Sequence, residues 1–341
     1  MPWPLIKLLP KKTNIHFVKH ARFFAFVSVV LVIASFVSML TGGFRENPIA
    51  VYQAASGGPM DKVGAVLSHG FNLGIDFKGG VSMEVVAPSP IDIGKIRDDL
   101  SGTGIGEIQV QAFGDPNHAL VRFQPEPGQE NQAIAAVKAE IARVMPNSTV
   151  PAAPDFVGPK VSGELFTSGL IALGLAMLLM LVYIWFRFEL QFGFGAVLAL
   201  LHDTILTLGL FSAFRIEFTL TIIAAVLTII GYSMNDTVVV FDRLRENLRK
   251  YRKMPVADII DLSTNETLSR TMVTSLTALL AAVALLIYGG ETLEGFAICM
   301  IFGILIGTYS SIYVAAPSIL LLGARRGEKF ASSEATPQKA G

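Results

Sequence analysis

Apolar residues gather into six long runs, near 23–41, 165–186, 190–214, 218–241, 271–288 and 293–322. A bilayer core about 30 Å thick takes roughly 20 apolar residues per helix, so each run is long enough to cross one. The last run exceeds a simple span. Residues 289–292 (Gly-Gly-Glu-Thr) predict a turn between the last two runs, and Arg215, Ile216 and Glu217 a tight polar turn between the third and fourth.

Between the first and second runs the pattern changes. Residues 71–77 and 81–86 predict strands around Gly79-Gly80. Residues 90–101 predict a helix with Ile93, Ile96 and Leu100 on one face. Residues 107–113 and 119–123 predict strands joined by the turn Gly114-Asp115-Pro116-Asn117. A second helix over 129–145 places Ile134, Val137, Ile141 and Val144 on one stripe and is closed by Pro146. Strand, helix, strand, strand, helix is a ferredoxin-like order. The predicted fold is therefore a polytopic α-helical membrane protein, with six transmembrane helices and an external α+β ferredoxin-like domain between helices 1 and 2. Its segments are an N-terminus 1–22, a first span 23–41, the α+β domain 42–163, spans 2–6 within 164–323 including a basic loop 242–269, and a tail 324–341.

Charge orients this arrangement. Lys7, Lys11, Lys12, Lys19 and Arg22 precede the first span; Arg243, Arg245, Arg249, Lys250, Arg252 and Lys253 follow the fourth; Arg325, Arg326 and Lys329 follow the sixth. Short loops rich in Lys and Arg stay cytoplasmic, so both termini are expected in the cytoplasm and domain 42–163 outside it. The first apolar stretch exceeds the 7–15 residues of a signal core and reads as a retained anchor.

Composition adds mainly exclusions. The 341 residues are 52% hydrophobic and 16% charged, with a formal net charge of +0. Soluble domains average about 25% charged. Cys299 is the only cysteine, so no disulfide forms within the chain, and the five histidines show no metal-ligand spacing. No phosphate-binding G-x-x-x-x-G-K-[ST] loop occurs, and the basic runs are loop anchors rather than a nucleic-acid surface. No cofactor, metal or enzymatic activity is expected; the surrounding partner is the lipid bilayer.

Ionisable groups inside hydrocarbon cost several kcal/mol unless they face a partner or a wet cavity, and so mark candidate function. The third run holds His202-Asp203, then Thr204 and Thr207. The fourth holds Gly231, Tyr232, Ser233, Asn235, Asp236 and Thr237. Asp236 lies roughly 8 Å inside the cytoplasmic boundary at 1.5 Å per residue. Arg270 begins the fifth run from the same side, followed by Thr274, Ser275 and Thr277. Burial favours a neutral acid and a nearby guanidinium favours a carboxylate, so Asp236 with Arg270 fits a proton relay. The same pair fits a fixed interhelical lock equally well. Asp203 either extends a pathway or tethers its helix to another. Gly231, Gly303 and Gly307 are expected to allow close helix packing.

At these residues the sequence resembles the SecF family. The carrying segments are Gly74-Ile75-Asp76-Phe77-Lys78-Gly79-Gly80, Val157-Gly158-Pro159-Lys160-Val161-Ser162-Gly163-Glu164-Leu165, and Ala199-Leu200-Leu201-His202-Asp203. They continue with Ile230-Gly231-Tyr232-Ser233-Met234-Asn235-Asp236-Thr237, Leu268-Ser269-Arg270-Thr271 and Gly307-Thr308-Tyr309-Ser310-Ser311. Ala278 stands where the family usually has Thr, and Lys78 where Thr is frequent. The resemblance implies a half bundle of the resistance–nodulation–division type in the bacterial inner membrane. It implies pairing with SecD, association with the SecYEG channel and the small protein YajC, and action on unfolded preprotein driven by the proton-motive force. It ties the positions matching Asp236 and Arg270 to proton passage, with Asn235 and Asp203 as weaker members. A small-molecule or lipid exporter, which would need a second half, and a non-conducting scaffold are the competing readings.

Overall fold

The computed structural model describes residues 13–321, apart from residues 46, 57, 60–61, 63–64, 67–68, 103–104, 106–107, 127, 151–153 and 189. Tail 324–341 and residues 1–12 lie outside the described part. In chain order the elements are α1 (Phe17–Leu40), α2 (Pro48–Ala54), β1 (Asn72–Leu73), α3 (Ile75–Lys78), β2 (Gly80–Val86), α4 (Ile93–Ser101), β3 (Ile108–Phe113), β4 (Asp115–Phe123), α5 (Glu130–Val144) and β5 (Asp155–Val157). They continue as α6 (Pro159–Arg187), α7 (Leu190–Phe214), β6 (Glu217–Phe218), α8 (Leu220–Lys250), α9 (Val256–Tyr288), α10 (Glu291–Ser310), a π-helical turn (Ser311–Ala315) and α11 (Ala316–Leu321).

Among the described residues six helices are long and apolar enough to cross a membrane: α1, α6, α7, α8, α9, and α10 continued through α11. Their bounds depart from the apolar runs where polar residues still favour helix. α1 starts at Phe17 rather than 23, because Asp261 and Asn265 of α9 cap it. The Val18 N–H donates to Asp261 Oδ1 (2.9 Å) and the Ile15 N–H to Asn265 Oδ1 (2.9 Å), satisfying donors that a helix start leaves open. The basic stretch 242–269, expected as a loop, is helical except around 251–255. Leu244 and Asn247 remain buried there. Arg243 Nε donates to Glu266 (2.7 Å) and Asn247 Nδ2 to Ser263 (3.0 Å), binding α8 to α9 beyond the apolar zone. Pro255 then sets the start of α9.

The core of the bundle is built from α7, α8 and the α10–α11 segment, through residues such as Phe211, Ile222, Ile229, Phe241, Ile304 and Ile319, each at most 2% exposed. Gly303 makes one approach possible: a Cβ there would lie 2.2 Å from Ile229 Cδ1. Gly307 faces Ser233 in the same way, at 3.0 Å. Gly231 does not; a Cβ on it would meet nothing within 4 Å, so the packing role expected of it is corrected. Its side of α8 points away from the bundle.

The second unit is a four-stranded sheet in the order β3-β4-β2-β5, with every neighbouring pair antiparallel. This is the strand order of the split βαβ, ferredoxin-like arrangement. Alternate residues Val81, Met83 and Val85 of β2 and Ala119, Val121 and Phe123 of β4 pack on Ile96, Leu100, Val137 and Ile141 of the two helices. Of the segment expected to be a strand over 71–77, only Asn72–Leu73 is extended; Ile75–Lys78 is one helical turn. The turn brings Gly79 and Gly80 to φ of +73° and +121°. A Cβ on Gly80 would press on the Phe123 carbonyl at 2.7 Å. Only glycine suits such backbone at such proximity.

Candidate functional site

Among the described residues Asp203 and Asp236 are the two carboxylates buried inside the bundle, 2% and 6% exposed. α7 carries the first and α8 the second. Nothing apolar can satisfy a carboxylate's lone pairs, and each here is met by hydroxyls. Asp236 Oδ1 accepts from Thr271 Oγ1 of α9 (2.7 Å), and its Oδ2 from Ser311 Oγ (2.8 Å). Asp203 Oδ2 accepts from Ser233 Oγ of α8 (2.5 Å) and from Ser310 Oγ of α10 (2.7 Å). Its Oδ1 faces His202 Nδ1 at 2.9 Å. His202 Nε2 lies 3.2 Å from Ser28 Oγ of α1, which pairs with the Tyr309 hydroxyl at 2.8 Å.

The two carboxylates therefore belong to one polar layer. Ser310 and Ser311 bridge it from the helix that closes the bundle, and Ser233 and Asp236 sit one turn apart on α8. The π turn begins at this bridge: the Ala316 N–H donates to the Ser311 carbonyl, five residues back. Single π turns within α-helices recur at functional sites. A second set of hydroxyls lies alongside, with Tyr232 OH donating to Ser275 Oγ (3.0 Å) and Ser275 Oγ paired with Thr308 Oγ1 (2.7 Å).

Of the four residues expected at the site, Asp203 and Asp236 are brought into this layer. Arg270 precedes Thr271 on α9 but is exposed, and among the described residues no ion pair joins it to Asp236. Asn235 is exposed on the outer side of α8. Thr204 and Thr207 donate to carbonyls of their own helix, those of Leu200 and Asp203. Ser310 and Ser311 were within a noted segment but carried no separate signal; two adjacent serines inside an apolar run are the mark that points to them.

A clamp joins the sheet unit to α8, the helix bearing Asp236. β1 pairs in parallel with β6, Asn72 opposite Glu217 and Leu73 opposite Phe218. The Gly74 N–H donates to the Phe218 carbonyl (2.9 Å). Asp76 Oδ2 accepts from the Leu220 N–H (2.9 Å), capping the first turn of α8. Arg122 of β4 reaches across to pair with Glu217. Burial holds the Glu217 carboxyl above the usual carboxylate range, Arg122 pulls it down, and Asp76 adds to the rise. Phe77 and Phe211 each stack against Phe218.

Residues 136–325 match the family described as protein export membrane protein SecD/SecF, C-terminal, and residues 64–87 match the SecD/SecF GG motif. The protein translocase subunit SecF of Cereibacter sphaeroides is 41% identical over 98% of this chain and 97% of its own length. The chain belongs to the SecF family. The SecF of Rickettsia rickettsii is 40% identical over 95% of this chain and 97% of that protein. The crystal structure of SecDF from Thermus thermophilus, described as a translocon-associated membrane protein, superposes with a TM-score of 0.76 at 31% identity over 94% of this chain. This chain spans 40% of that SecDF chain. In SecF terms the GG-motif match contains one side of the clamp, Asn72 to Asp76, and the longer match contains its other side, Glu217 to Leu220, together with both buried carboxylates.

Proposed function

We propose that this SecF chain works with SecD as a proton-driven accessory to Sec-dependent protein export in the bacterial inner membrane. Both termini lie in the cytoplasm and the sheet domain in the periplasm, where it acts on preprotein emerging from SecYEG, with YajC as a further associate. The observation that carries the reading is the pair of buried carboxylates Asp203 and Asp236, each accepting from one of two consecutive serines of a single helix, Ser310 and Ser311. Hydroxyls both donate and accept, so the set around each acid can take up and hand on a proton by small rotations. Asp236 is the loading group. Arg270, now standing apart, promotes release when it approaches, because a guanidinium favours the carboxylate. Asn235, on the outer face of α8, lies toward the SecD half. Each proton crossing the membrane field supplies about 2.3 kcal/mol per 100 mV. α8 carries the consequence to the sheet domain through Asp76 and Glu217.

The test is export of a periplasmic reporter in cells depleted of their own SecF and supplied with wild type or Asp236→Asn, at equal abundance and with SecD association retained. Rescue by wild type alone is expected. Equal rescue by both would discard the relay while leaving the export role.

A further inference from the structure

Beside the polar layer, with His202 and Ser28 in its wall, α1, α7, the π turn and α11 line a groove of about 900 Å³. Along α1 it runs from Val18 to Ile33, roughly 22 Å at 1.5 Å per residue. One leaflet's hydrocarbon is about 15 Å deep, half of the bilayer core, so the groove exceeds the depth an acyl chain must cover. Its walls are apolar and open to the exterior, with Val29, Ile33 and Leu201 exposed. Of the polar groups in the wall, His202 and Ser28 face one another at 3.2 Å, Ser318 Oγ donates to the Ala315 carbonyl, and the Tyr313 ring packs on Phe24 and Tyr309.

The two ends differ. Lys19 and Arg22, both exposed, stand at one mouth, and among the described residues no carboxylate lines the groove. Neither cation takes part in an ion pair among the described residues. An apolar trough of acyl length ending in two unneutralised cations matches an amphiphile with a negative head. We propose that this groove binds an anionic phospholipid, one acyl chain between α1 and α7 and its phosphate at Lys19 and Arg22. A zwitterionic lipid would fill the trough and gain less at the mouth. The site rests on the chain's spanning a bilayer and is independent of the proton relay.

The experiment places the full chain with SecD in nanodiscs doped with phosphatidylglycerol or phosphatidylethanolamine carrying a photoreactive acyl chain, and maps the labelled peptides. A nanodisc offers the same lipid to both faces, so membrane orientation does not enter. Phosphatidylglycerol should label residues 21–33 and 198–205 above the exposed face of α6, and above phosphatidylethanolamine. Lys19→Gln with Arg22→Gln should lower that preference, roughly fivefold per cation removed. Ala25→Phe, which fills the trough, should remove groove labelling by both probes. Should Ala25→Phe fail to assemble, the charge variants, which alter only exposed side chains, decide alone. Equal labelling of groove and α6, no headgroup preference, or protection of the groove by a SecD helix would overturn the proposal.

Discussion

Ser310 and Ser311 are consecutive in the chain, yet their hydroxyls donate to different buried carboxylates, Ser310 to Asp203 at 2.7 Å and Ser311 to Asp236 at 2.8 Å. In a regular helix neighbouring side chains diverge by about 100°, so a helix set between the two acids can serve both at one depth. The partners on each side are unequal. Asp236 has two hydroxyl donors, while Asp203 keeps Ser233 and His202 if Ser310 is lost.

Ser311→Ala should therefore cost more than Ser310→Ala. Leaving a buried acceptor one donor short costs about 1–3 kcal/mol, and the thermal midpoint of the purified chain reads that cost. Reporter export should fall in the same order. Equal losses from the two variants would show that the carboxylates do not depend on these donors separately.

Gly303 and Gly231 should separate cleanly. Ala at Gly303 meets three atoms of Ile229 within 2.7 Å, an overpacking worth about 1–3 kcal/mol, and Ile229→Ala in the same chain should relieve it. Ala at Gly231 meets open space and should leave the isolated chain's thermal midpoint unchanged or raised, by at most about 1 kcal/mol of helix propensity.

The Arg122–Glu217 pair should behave as buried pairs do. Among the described residues two of Arg122's nitrogens, Nε and Nη1, are buried without a partner, and Glu217 anchors its charge. Glu217→Ala strands that cation and should destabilise the clamp by roughly 2–4 kcal/mol, somewhat below the full buried-pair cost because Glu217 keeps some exposure. Replacing both with Leu should recover most of it. Chemical denaturation of the three variants measures the difference.

The pH response of the clamp follows from the Glu217 carboxyl lying above its usual range. The folded state then binds the proton more tightly than the unfolded chain, so its contribution is fullest below the unfolded value and declines as pH rises through the folded one. Amide exchange at Gly74 and Leu220, corrected for intrinsic rates, should show opening become easier over that rise. Glu217→Gln should flatten the trend. A trend of opposite sign would mean that Arg122 outweighs burial.

Asp76 caps α8 from another unit of the fold. Asp76→Ala should cost about 0.5–2 kcal/mol, as loss of an N-cap does, and Asp76→Asn less. If the clamp transmits movement, Asp76→Ala should reduce export by more than its effect on stability explains, at equal abundance.

Much of this was legible from residue order. The six apolar runs and the alternation in 81–86 and 119–123 were enough for the bundle and the sheet, because burial in lipid or in a core imposes those periods directly. Asp203 and Asp236 stood out because charge is rare in such runs. Helix ends were less legible, since capping by Asp261 and Asn265 from a distant helix lengthens α1. The two-residue strands Asn72–Leu73 and Glu217–Phe218 carry no periodic signal at all and exist only because they find each other. Thr271, the neighbour of Arg270, reaches Asp236, but sequence gives no direction for a side chain, and Arg270 itself is exposed and makes no ion pair with Asp236 among the described residues.

The clamp at the start of α8 and the carboxylate within it lie 16 residues apart, from Leu220 to Asp236, or about 24 Å of uninterrupted helix. Such a helix is a stiff crank, pivoted where its carboxylate is gripped and pinned at its far end to another body. Tilting it by about 10° around Asp236 would swing Leu220, and with it the pinned edge of the sheet, by roughly 4 Å on that arm. Such a tilt would turn a small rearrangement at the carboxylate into a displacement the size of a side chain, delivered outside the bundle.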